Sequence, residues 1–436
     1  MTPAQYDPQP WPAPAAAWSA VVLFSVAAIL SYTDRQILSL LVDPIRADLR
    51  ISDTQIGVLQ GVAFALIYSF AGLPLGRLAD LVQRRSVILA GIGLWSAGTL
   101  LCGYAESFWA LFGGRVVVGI GEAALAPAAF SMISDMFPAR LRGMALGVFV
   151  MGMAVGGGVA IAIGGAVLGV ASSGGLASLP LIGGLAAWRA VLVLLGLSGV
   201  PILFLMLALV REPARRGERG EAQPSLRVVF TELRAVRGAL IPLVIGCALM
   251  SVGDFAMQSW SPALLGRVYG LSPRDIGVTL GPLIIVSGAV ASLSGGALSD
   301  RFARVSGPSG RLKLAFVAAL LALPFAFIAL AGSAHQVLAA VALWMLFSTC
   351  AGIAGITALQ EIVPNRARGL GSSFIAFGNI LVGLGGGAFL TGFLTDHLFH
   401  DARAVGRSLS LVVLPATLFA IFLLRHASRT TRSLSR

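Results

Sequence analysis

Two charged side chains stand inside the first long apolar stretch of the sequence, which runs over residues 18–42. Asp34 and Arg35 are consecutive there. A charged residue at the centre of a lipid bilayer costs about 2.5–3.5 kcal/mol on insertion scales. Such residues are retained where they pair with other groups, face water or take part in function. Asp34 and Arg35 are therefore the first candidates for a functional site.

Two more charged residues lie at helical spacing in the fourth long apolar stretch. Arg115 and Glu122 are seven positions apart, which places them on one face of a helix, about 10 Å apart along its axis. They cannot neutralise each other directly, so each needs a partner on another helix. We predict that Asp34 pairs with Arg115 while it is ionised, and that protonation of Asp34 releases Arg115. Burial opposes ionisation of a carboxylate and a neighbouring guanidinium favours it, so opposing effects can bring titration into the working pH range.

Asp254 occupies in the seventh apolar stretch the position of Asp34 in the first, because the two are 220 positions apart. It is either a second titrating group or a hydrogen-bonding anchor for a substrate. The alternative is a residue left by sequence duplication and satisfied by polar neighbours. For the charged residues of the first and fourth stretches, the alternative to a function is a static cluster that fixes helix packing.

These residues belong to a chain with the composition of a polytopic membrane protein. Hydrophobic residues make up 57% of the chain and charged residues 11%, whereas soluble domains carry about 25% charged residues. Twelve apolar segments come close to the roughly 20 residues that a membrane-spanning helix needs. We predict an all-α membrane protein, because a helix satisfies its own backbone hydrogen bonds in lipid. The predicted spans are residues 18–42, 54–78, 86–104, 108–133, 143–169, 189–210, 239–264, 275–299, 312–331, 336–360, 370–395 and 406–425.

The net charge of +12 is explained by membrane topology and does not require a nucleic-acid partner. With residue 1 on the cytoplasmic side, 22 Arg and Lys residues fall on that side and seven on the other. The positive-inside rule then predicts that both termini are cytoplasmic. The use of thirty Arg and one Lys is typical of a high-GC bacterium, which indicates the bacterial inner membrane.

The sequence contains an internal repeat. Residues 52–58 recur as 272–278 at an offset of 220 positions, and residues 135–143 recur as 361–369 at an offset of 226. We therefore predict two pseudo-symmetric six-helix halves, which is the plan of a secondary transporter with its substrate site between the halves. The predicted division is a tail at 1–17, a first half at 18–210, a linker at 211–238, a second half at 239–425 and a tail at 426–436.

Several motifs resemble those of the major facilitator superfamily. The predicted loop between the second and third helices reads Gly76-Arg77-Leu78-Ala79-Asp80 and continues to Arg84-Arg85, and the fourth helix carries Arg115-x3-Gly119. Within that superfamily, Tyr32-Thr33-Asp34-Arg35 and Gly119-Ile120-Gly121-Glu122-Ala123 resemble the spinster-like transporters. The organic anion:cation symporters share the Tyr-x-Asp-Arg element. The resemblance implies the major facilitator fold, transport by alternating access, and proton-linked roles for Asp34 and the charged pair of the fourth helix.

The resemblance also implies a gate at the cytoplasmic helix ends. Charge pairs between the two halves would stabilise the outward-facing state and would break when the cytoplasmic side opens. Topology and helix capping stay open as the alternative explanation, above all for the arginines. The implied gate residues are Gly76, Asp80, Arg84, Arg85, Arg140, Asp300, Arg301 and Arg366.

Taken together, the sequence predicts a monomeric, proton-linked secondary transporter for an amphipathic or lipid-like solute. Its partners would be that solute, protons and membrane lipids. The alternative is a symporter of a small organic anion, an aromatic or sugar acid, with Arg35 and Arg115 as the anion site. No Gly-x4-Gly-Lys-Ser/Thr motif occurs, and the spans carry no nucleophile or metal constellation. We therefore expect neither a cofactor, a metal nor an enzyme activity, while the substrate and the coupling direction stay open.

Overall fold

Twelve long apolar helices make up most of the part of the chain that the structure describes. A computed structural model of the chain describes residues 11–216 and 226–434, so predictions for 1–10, 217–225 and 435–436 lie outside the described residues. The prediction of twelve transmembrane helices is confirmed. Helices 1 to 12, numbered in chain order, are Pro14–Ile37, Asp53–Leu81, Arg84–Gly103, Phe108–Met136, Ala139–Ser172, Ala187–Leu209, Arg237–Tyr269, Pro273–Ser306, Ser309–Leu330, Ala334–Ile362, Asn365–Phe399 and Ala402–Thr431.

The bundle has two faces, which we name by what they carry. The linker face carries residues 210–216, a separate helix at Leu226–Ala235 and the end of helix 12. The distal face carries the turns after the odd-numbered helices. Helix 1 reaches this face at Ile37, earlier than the predicted end at residue 42, because a turn at 38–41 leads into the short helix Val42–Leu49.

Serine caps begin four helices at the distal face and follow the internal repeat. Ser52 accepts a hydrogen bond from the backbone N–H of Gln55, and the Gln55 side chain accepts one from the Ser52 backbone N–H. The equivalent Ser272 caps helix 8, and Ser107 and Ser333 cap helices 4 and 10 in the same way. A serine in this place satisfies a backbone donor that the helix leaves free. The repeated serines therefore set where these helices start in each half.

Helices 2 and 11 join the two halves through a seam of close backbone contacts near the distal face. A Cβ atom added to Gly57 would lie 2.7 Å from the carbonyl oxygen of Ala388. A Cβ atom added to Gly61 would lie 2.7 Å from the carbonyl oxygen of Leu384. Only glycine permits helices to approach this closely, so both positions are fixed by the seam.

Helices 5 and 8 form the second seam, and its glycines are the repeat partners of the first. Gly277 and Gly281 stand 220 positions after Gly57 and Gly61. A Cβ atom added to Gly281 would lie 2.9 Å from the carbonyl oxygen of Gly158, and one added to Gly277 would lie 3.0 Å from that of Ile161. The two halves are thus joined at two places. At each place, a pair of equivalent glycines from the repeat packs against backbone carbonyls of the opposite half.

The halves separate toward the linker face. The contacts of helix 5 with helix 8 that involve glycine fall in the distal part of both helices. Near the linker face, Arg84 pairs with Asp135 of the first half and with Glu212 of the linker, and Arg311 pairs with Asp300 and Glu361 of the second half. None of these ion pairs joins the two halves. The described conformation is therefore closed at the distal face and open at the linker face.

A bulky residue at one seam should open the distal face. In a background without native cysteines, Ser39→Cys reports access, because Ser39 is buried at the closed end of the bundle. We expect Gly281→Leu to make this cysteine react with a membrane-impermeant thiol reagent that is supplied at the distal face. Gly288→Leu on the same helix is the control, because a Cβ at Gly288 meets nothing within 4 Å. Equal labelling of the two variants would contradict the seam's role.

Candidate functional site

A buried ion pair joins helix 4 to helix 1. Arg115 Nη1 lies 2.7 Å from Asp34 Oδ1, and the two side chains are 2% and 3% exposed. The Thr99 hydroxyl of helix 3 donates a hydrogen bond to the second carboxylate oxygen of Asp34. The predicted contact between Asp34 and Arg115 is present. Thr99 was not predicted, since a lone threonine in an apolar helix gives no sequence signal.

A second buried ion pair joins the same two helices. Arg35 Nη2 lies 2.9 Å from Glu122 Oε2, and the side chains are 8% and 0% exposed. Two guanidinium groups and two carboxylates therefore neutralise one another inside the first half. A buried charge that keeps no counter-charge is strongly destabilising, so the four groups depend on one another.

Aromatic rings surround the Arg35 guanidinium. Its central carbon lies 4.3 Å from the ring centre of Phe64, 4.7 Å from that of Tyr32 and 5.0 Å from that of Tyr68. Phe64 also lies 5.6 Å from the guanidinium of Arg115. A cation over an aromatic face is stabilised by the ring quadrupole, most of all when it is desolvated. Phe64 and Tyr68 were missed because aromatic residues are common in any apolar helix.

Glycine contacts hold the helices of the site at short range. A Cβ atom at Gly156 of helix 5 would lie 2.6 Å from the Tyr32 Cβ atom, so helix 5 packs directly behind the charged segment of helix 1. A Cβ atom at Gly121 would lie 2.7 Å from the carbonyl oxygen of Gly91, which brings helix 3 against helix 4 beside Glu122. The glycines next to the charged residues thus serve to bring helices 1, 3, 4 and 5 together.

Several polar atoms of the site have no hydrogen-bond partner among the described residues. They are the Nε atom of Arg35, the Nε and Nη2 atoms of Arg115 and the Oε1 atom of Glu122. Buried polar groups are normally satisfied, so these atoms retain the capacity to bind a proton, a water molecule or a polar group of a solute. The two ion pairs therefore leave hydrogen-bonding atoms of Arg35, Arg115 and Glu122 without a partner among the described residues.

A pocket beside Arg35 receives side chains from both halves. Gln36 of helix 1 donates a hydrogen bond from Nε2 to the backbone oxygen of Gln258 on helix 7, at 2.8 Å. The pocket thus lies where helices of the two halves meet, close to the aromatic rings and to one of the ion pairs. Its lining residues are Tyr32, Arg35, Gln36, Ser39, Gln60, Phe255, Gln258, Ser259 and Leu384.

Asp254 lies in the second half, where it is bound to a tryptophan. The indole Nε1 of Trp344 on helix 10 donates a hydrogen bond to Asp254 Oδ1 at 2.9 Å. Among the described residues, no hydrogen bond or ion pair links Asp254 to the four charged residues of helices 1 and 4. The structure therefore does not bring the fifth predicted residue into the same cluster.

The residues of the predicted gate do not bridge the halves in this conformation. Arg84 is buried and pairs with Asp135 and with Glu212, which is 2.8 Å away, so it anchors helix 3 within the first half. Asp300 pairs at 3.0 Å with Arg311 of its own half. In this state the Arg84 guanidinium is bound to the carboxylates of Asp135 and Glu212, and its predicted gate contact in the opposite state stays a prediction.

The remaining gate residues lie around these anchors at the linker face. The backbone N–H of Arg85 donates to Glu212, and the Asp80 carbonyl accepts from Arg215. Gly76 lies in the last turns of helix 2, where a Cβ atom would come 3.9 Å from Pro127. The side chains of three arginines are exposed: Arg140, Arg301 and Arg366.

An ion-pair network at the distal face was not predicted. Arg267 of helix 7 binds both carboxylate oxygens of Asp53 at 2.7 Å and also lies 2.7 Å from Asp43. From helix 11, Asp396 accepts hydrogen bonds from the backbone N–H and the hydroxyl of Thr54, each at 2.6 Å. Both contacts join the halves. The sequence showed Arg267 only as one of seven basic residues on that side, because its acidic partners are more than 200 positions away.

Comparison with known proteins agrees with this architecture. A family model described as Major Facilitator Superfamily matches residues 24–390. An MFS-type efflux pump of Mycolicibacterium smegmatis is 30% identical over 92% of this chain and 90% of that protein. Protein spinster homolog 1 of Xenopus tropicalis is 26% identical over 87% of this chain and 72% of that protein. A probable L-galactonate transporter of Escherichia coli is 27% identical over 65% of this chain and 61% of that protein.

Among solved structures, the chain is similar to a bacterial homologue of the human lysosomal transporter spinster in an inward-facing, unoccupied conformation. The TM-score is 0.81 at 25% identity, over 96% of this chain and 98% of the other. That conformation is open on one side of the bundle, as is the conformation described above.

The mutual dependence of the charges can be measured with a double-mutant cycle. Glu122→Gln leaves Arg35 buried without a counter-charge and is expected to cost about 3–5 kcal/mol of stability, as is Arg35→Gln. The double variant should recover most of that loss in thermal unfolding of the purified protein. The control cycle is Asp48→Asn with Arg189→Gln, a more exposed pair at 3.0 Å, where less than about 1 kcal/mol is expected. Additive losses at Arg35 and Glu122 would refute the dependence.

Proposed function

The chain belongs to the major facilitator superfamily of transporters, and we propose that it is a proton-linked secondary transporter that works by alternating access. The observation that carries the proposal is the pair of buried ion pairs, Asp34 with Arg115 and Arg35 with Glu122, between helices 1 and 4. Ionisable residues inside membrane helices are costly, and they mark proton relays and solute pathways in pumps and transporters.

Proton binding would act by breaking charge neutrality. Protonation of Asp34 removes the counter-charge of Arg115, and protonation of Glu122 removes that of Arg35. Each freed guanidinium then needs a new anionic or polar partner. For Arg35, which lines the pocket, a solute can supply that partner. Proton binding and solute binding become linked because both act on the same guanidinium groups. If the proton and the solute bind one conformation more tightly than the other, their binding shifts the populations of the two conformations.

The closed distal face and the open linker face support alternating access about this site. The two glycine seams and the Arg267 network hold the distal face closed. In the opposite state, we propose that the linker face closes and that Asp80 and Asp300 form cross-half contacts there. These are the acidic residues that the repeat places at equivalent helix ends. Arg140, Arg301 and Arg366 are exposed nearby and are available as partners.

We place the linker face in the cytoplasm of a bacterium, so that both termini are cytoplasmic in the inner membrane. The support is the distribution of basic residues, 22 against seven, which follows the positive-inside rule. In this orientation, the described conformation faces inward.

The proposed solute is amphipathic or lipid-like. The support is the combination of the Arg35 guanidinium with the aromatic residues Tyr32 and Phe255 in the pocket lining, and the similarity to spinster proteins. A small organic anion is the second candidate. It is favoured by the unpaired nitrogen atoms of Arg35 and Arg115, which are suited to a carboxylate. Asp254 is proposed as a second titrating group or as an anchor for the solute in the other half.

The first test is transport of a labelled lysophospholipid in proteoliposomes with an imposed pH gradient. We expect flux that depends on the gradient in the parent protein. Asp34→Asn should abolish that dependence, because an amide at this position cannot take up or release the proton that breaks the ion pair with Arg115. Asp48→Asn is the control, since this carboxylate pairs with Arg189 at the distal face.

Parallel samples separate the candidate functions. Asp34→Asn with Arg115→Gln restores charge balance, so a folded but uncoupled double variant excludes misfolding as the cause. Asp254→Asn tests whether the second half also titrates. Gradient-dependent flux of a sugar acid or an aromatic acid, without flux of the lysophospholipid, would favour the organic anion. Preserved coupling in Asp34→Asn would overturn the proton role.

The proposed linker-face gate can be tested through the conformational populations. Asp80→Asn and Asp300→Asn should weaken the state that is closed at the linker face. A cysteine placed at Gln258, in the pocket, should then react faster with an impermeant thiol reagent that is supplied from the linker face. Glu106→Gln, an exposed change at the distal face, is the control. An unchanged labelling rate in both aspartate variants would contradict the gate.

A further inference from the structure

We propose that a groove between helices 9 and 12 at the linker face binds the phosphate group of an anionic phospholipid. This site, the helix 9–12 groove, lies in the second half and takes no part in the charged cluster of helices 1 and 4. Three of its five lining residues are cations, and one of them is the single lysine of the chain. The lining residues are Lys313, Phe316, Arg425, Ser428 and Arg429.

The three cations of the groove lack acidic partners within the part of the chain that the structure describes. Among residues 11–216 and 226–434, no carboxylate lies within 4.0 Å of Lys313, Arg425 or Arg429. The neighbouring Arg311 shows that acids are present at this face, since it binds Asp300 at 3.0 Å and Glu361 at 2.8 Å. The acidic groups therefore go to Arg311, and the groove keeps its positive charge.

The other contacts of these cations leave room for an anion. Lys313 Nζ donates one hydrogen bond, to the Ser306 hydroxyl at 3.1 Å, out of the three that an ammonium group offers. The Arg425 guanidinium lies 5.9 Å from the ring centre of Phe316. Arg425 and Arg429 are four positions apart on helix 12, where like charges repel each other. A bound anion would remove this repulsion.

The backbone around the groove adds to its preference for anions. Helix 9 begins at Ser309, one turn before Lys313, and the N-terminal end of a helix carries partial positive charge. The buried Ser428 of helix 12 donates a hydrogen bond to the backbone oxygen of Ser309 at 3.3 Å. This bond ties helix 12 to the start of helix 9 and fixes the spacing of the cations.

The apolar surface next to the groove favours a lipid over free phosphate. Leu320 stands seven positions after Lys313, and Phe422 stands three positions before Arg425, so both follow the cations along the same helix faces. Leu320 is 47% exposed and Phe422 is 65% exposed. The cations lie at the end of the span, where they can bind a lipid headgroup. The exposed apolar side chains follow toward the middle of the span, where they can contact the acyl chains. Basic pockets between helix ends are the sites that anionic headgroups use in membrane proteins.

The test uses the full-length protein in a neutral detergent. Dioleoylphosphatidylglycerol, dioleoylphosphatidylcholine, glycerol phosphate and inorganic phosphate are added separately, and retained lipid is counted by native mass spectrometry alongside the melting temperature. We expect phosphatidylglycerol to be retained and to raise the melting temperature, because a ligand that binds the folded state stabilises it. Phosphatidylcholine and the two soluble phosphates should have little effect.

Charge-matched variants locate the binding. Lys313→Gln, Arg425→Gln and Arg429→Gln combined should weaken retention of phosphatidylglycerol about tenfold or more. The control removes three exposed arginines elsewhere on the linker face, as Arg227→Gln, Arg234→Gln and Arg304→Gln.

Two further samples keep the proposal open to refutation. The single change Arg429→Gln, at an exposed position, should reduce retention with the fold intact, and Lys313→Arg should preserve it. Equal losses in the groove and control variants would overturn the site, and so would stabilisation by inorganic phosphate as large as that by phosphatidylglycerol.

Discussion

A charge buried among apolar helices must be neutralised close by, and helices 1 and 4 meet this requirement for each other. Helix 1 supplies a carboxylate and a guanidinium as neighbours, and helix 4 supplies the complementary pair two turns apart. The long side chains of Arg35 and Arg115 bridge the axial distance. Because removal of any one charge leaves another uncompensated, the four residues form one unit. In the proposed mechanism, a single proton on Asp34 or Glu122 would therefore disturb the contact of helix 1 with helix 4.

Around this unit, the two halves close on each other through contacts that the sequence repeat duplicates. Gly57 and Gly61 in the first half, and Gly277 and Gly281 in the second, allow backbone to meet backbone. Such contacts involve little side-chain interlocking, so they can part without repacking a core. The specific polar contacts that close the distal face are the ion pairs of Arg267 with Asp43 and Asp53. The distal face is thus closed by glycine contacts between helices, together with a few specific ion pairs and hydrogen bonds.

The linker face distributes its charge differently. Arg84 pairs with Asp135 of its own half and with Glu212 of the linker, and Arg311 pairs with Asp300 and Glu361 of its own half. Arg84 thus links helix 3 to helix 4 and to the linker, and Arg311 links helix 9 to helices 8 and 10. Among the described residues, no carboxylate lies within 4.0 Å of three cations of this face: Lys313, Arg425 and Arg429. In the proposed topology, these cations belong to the positive charge of the cytoplasmic side, and we propose that they bind an anionic lipid.

The sequence by itself determined the class of protein, the twelve spans and the duplication, because hydrophobic length and internal repeats are properties of local sequence. It also singled out the charged residues of helices 1 and 4, since charge in an apolar helix is costly wherever the helix packs. It also predicted the pairing of Asp34 with Arg115, whereas only the tertiary structure decided the other partners. Side-chain reach and helix rotation decide the pairing of Arg35 with Glu122 and the aromatic rings around Arg35. They also decide the ion pairs of Arg84 with Asp135 and Glu212. The bond between Arg267 and Asp53 joins residues more than 200 positions apart, and no local pattern encodes such a distance.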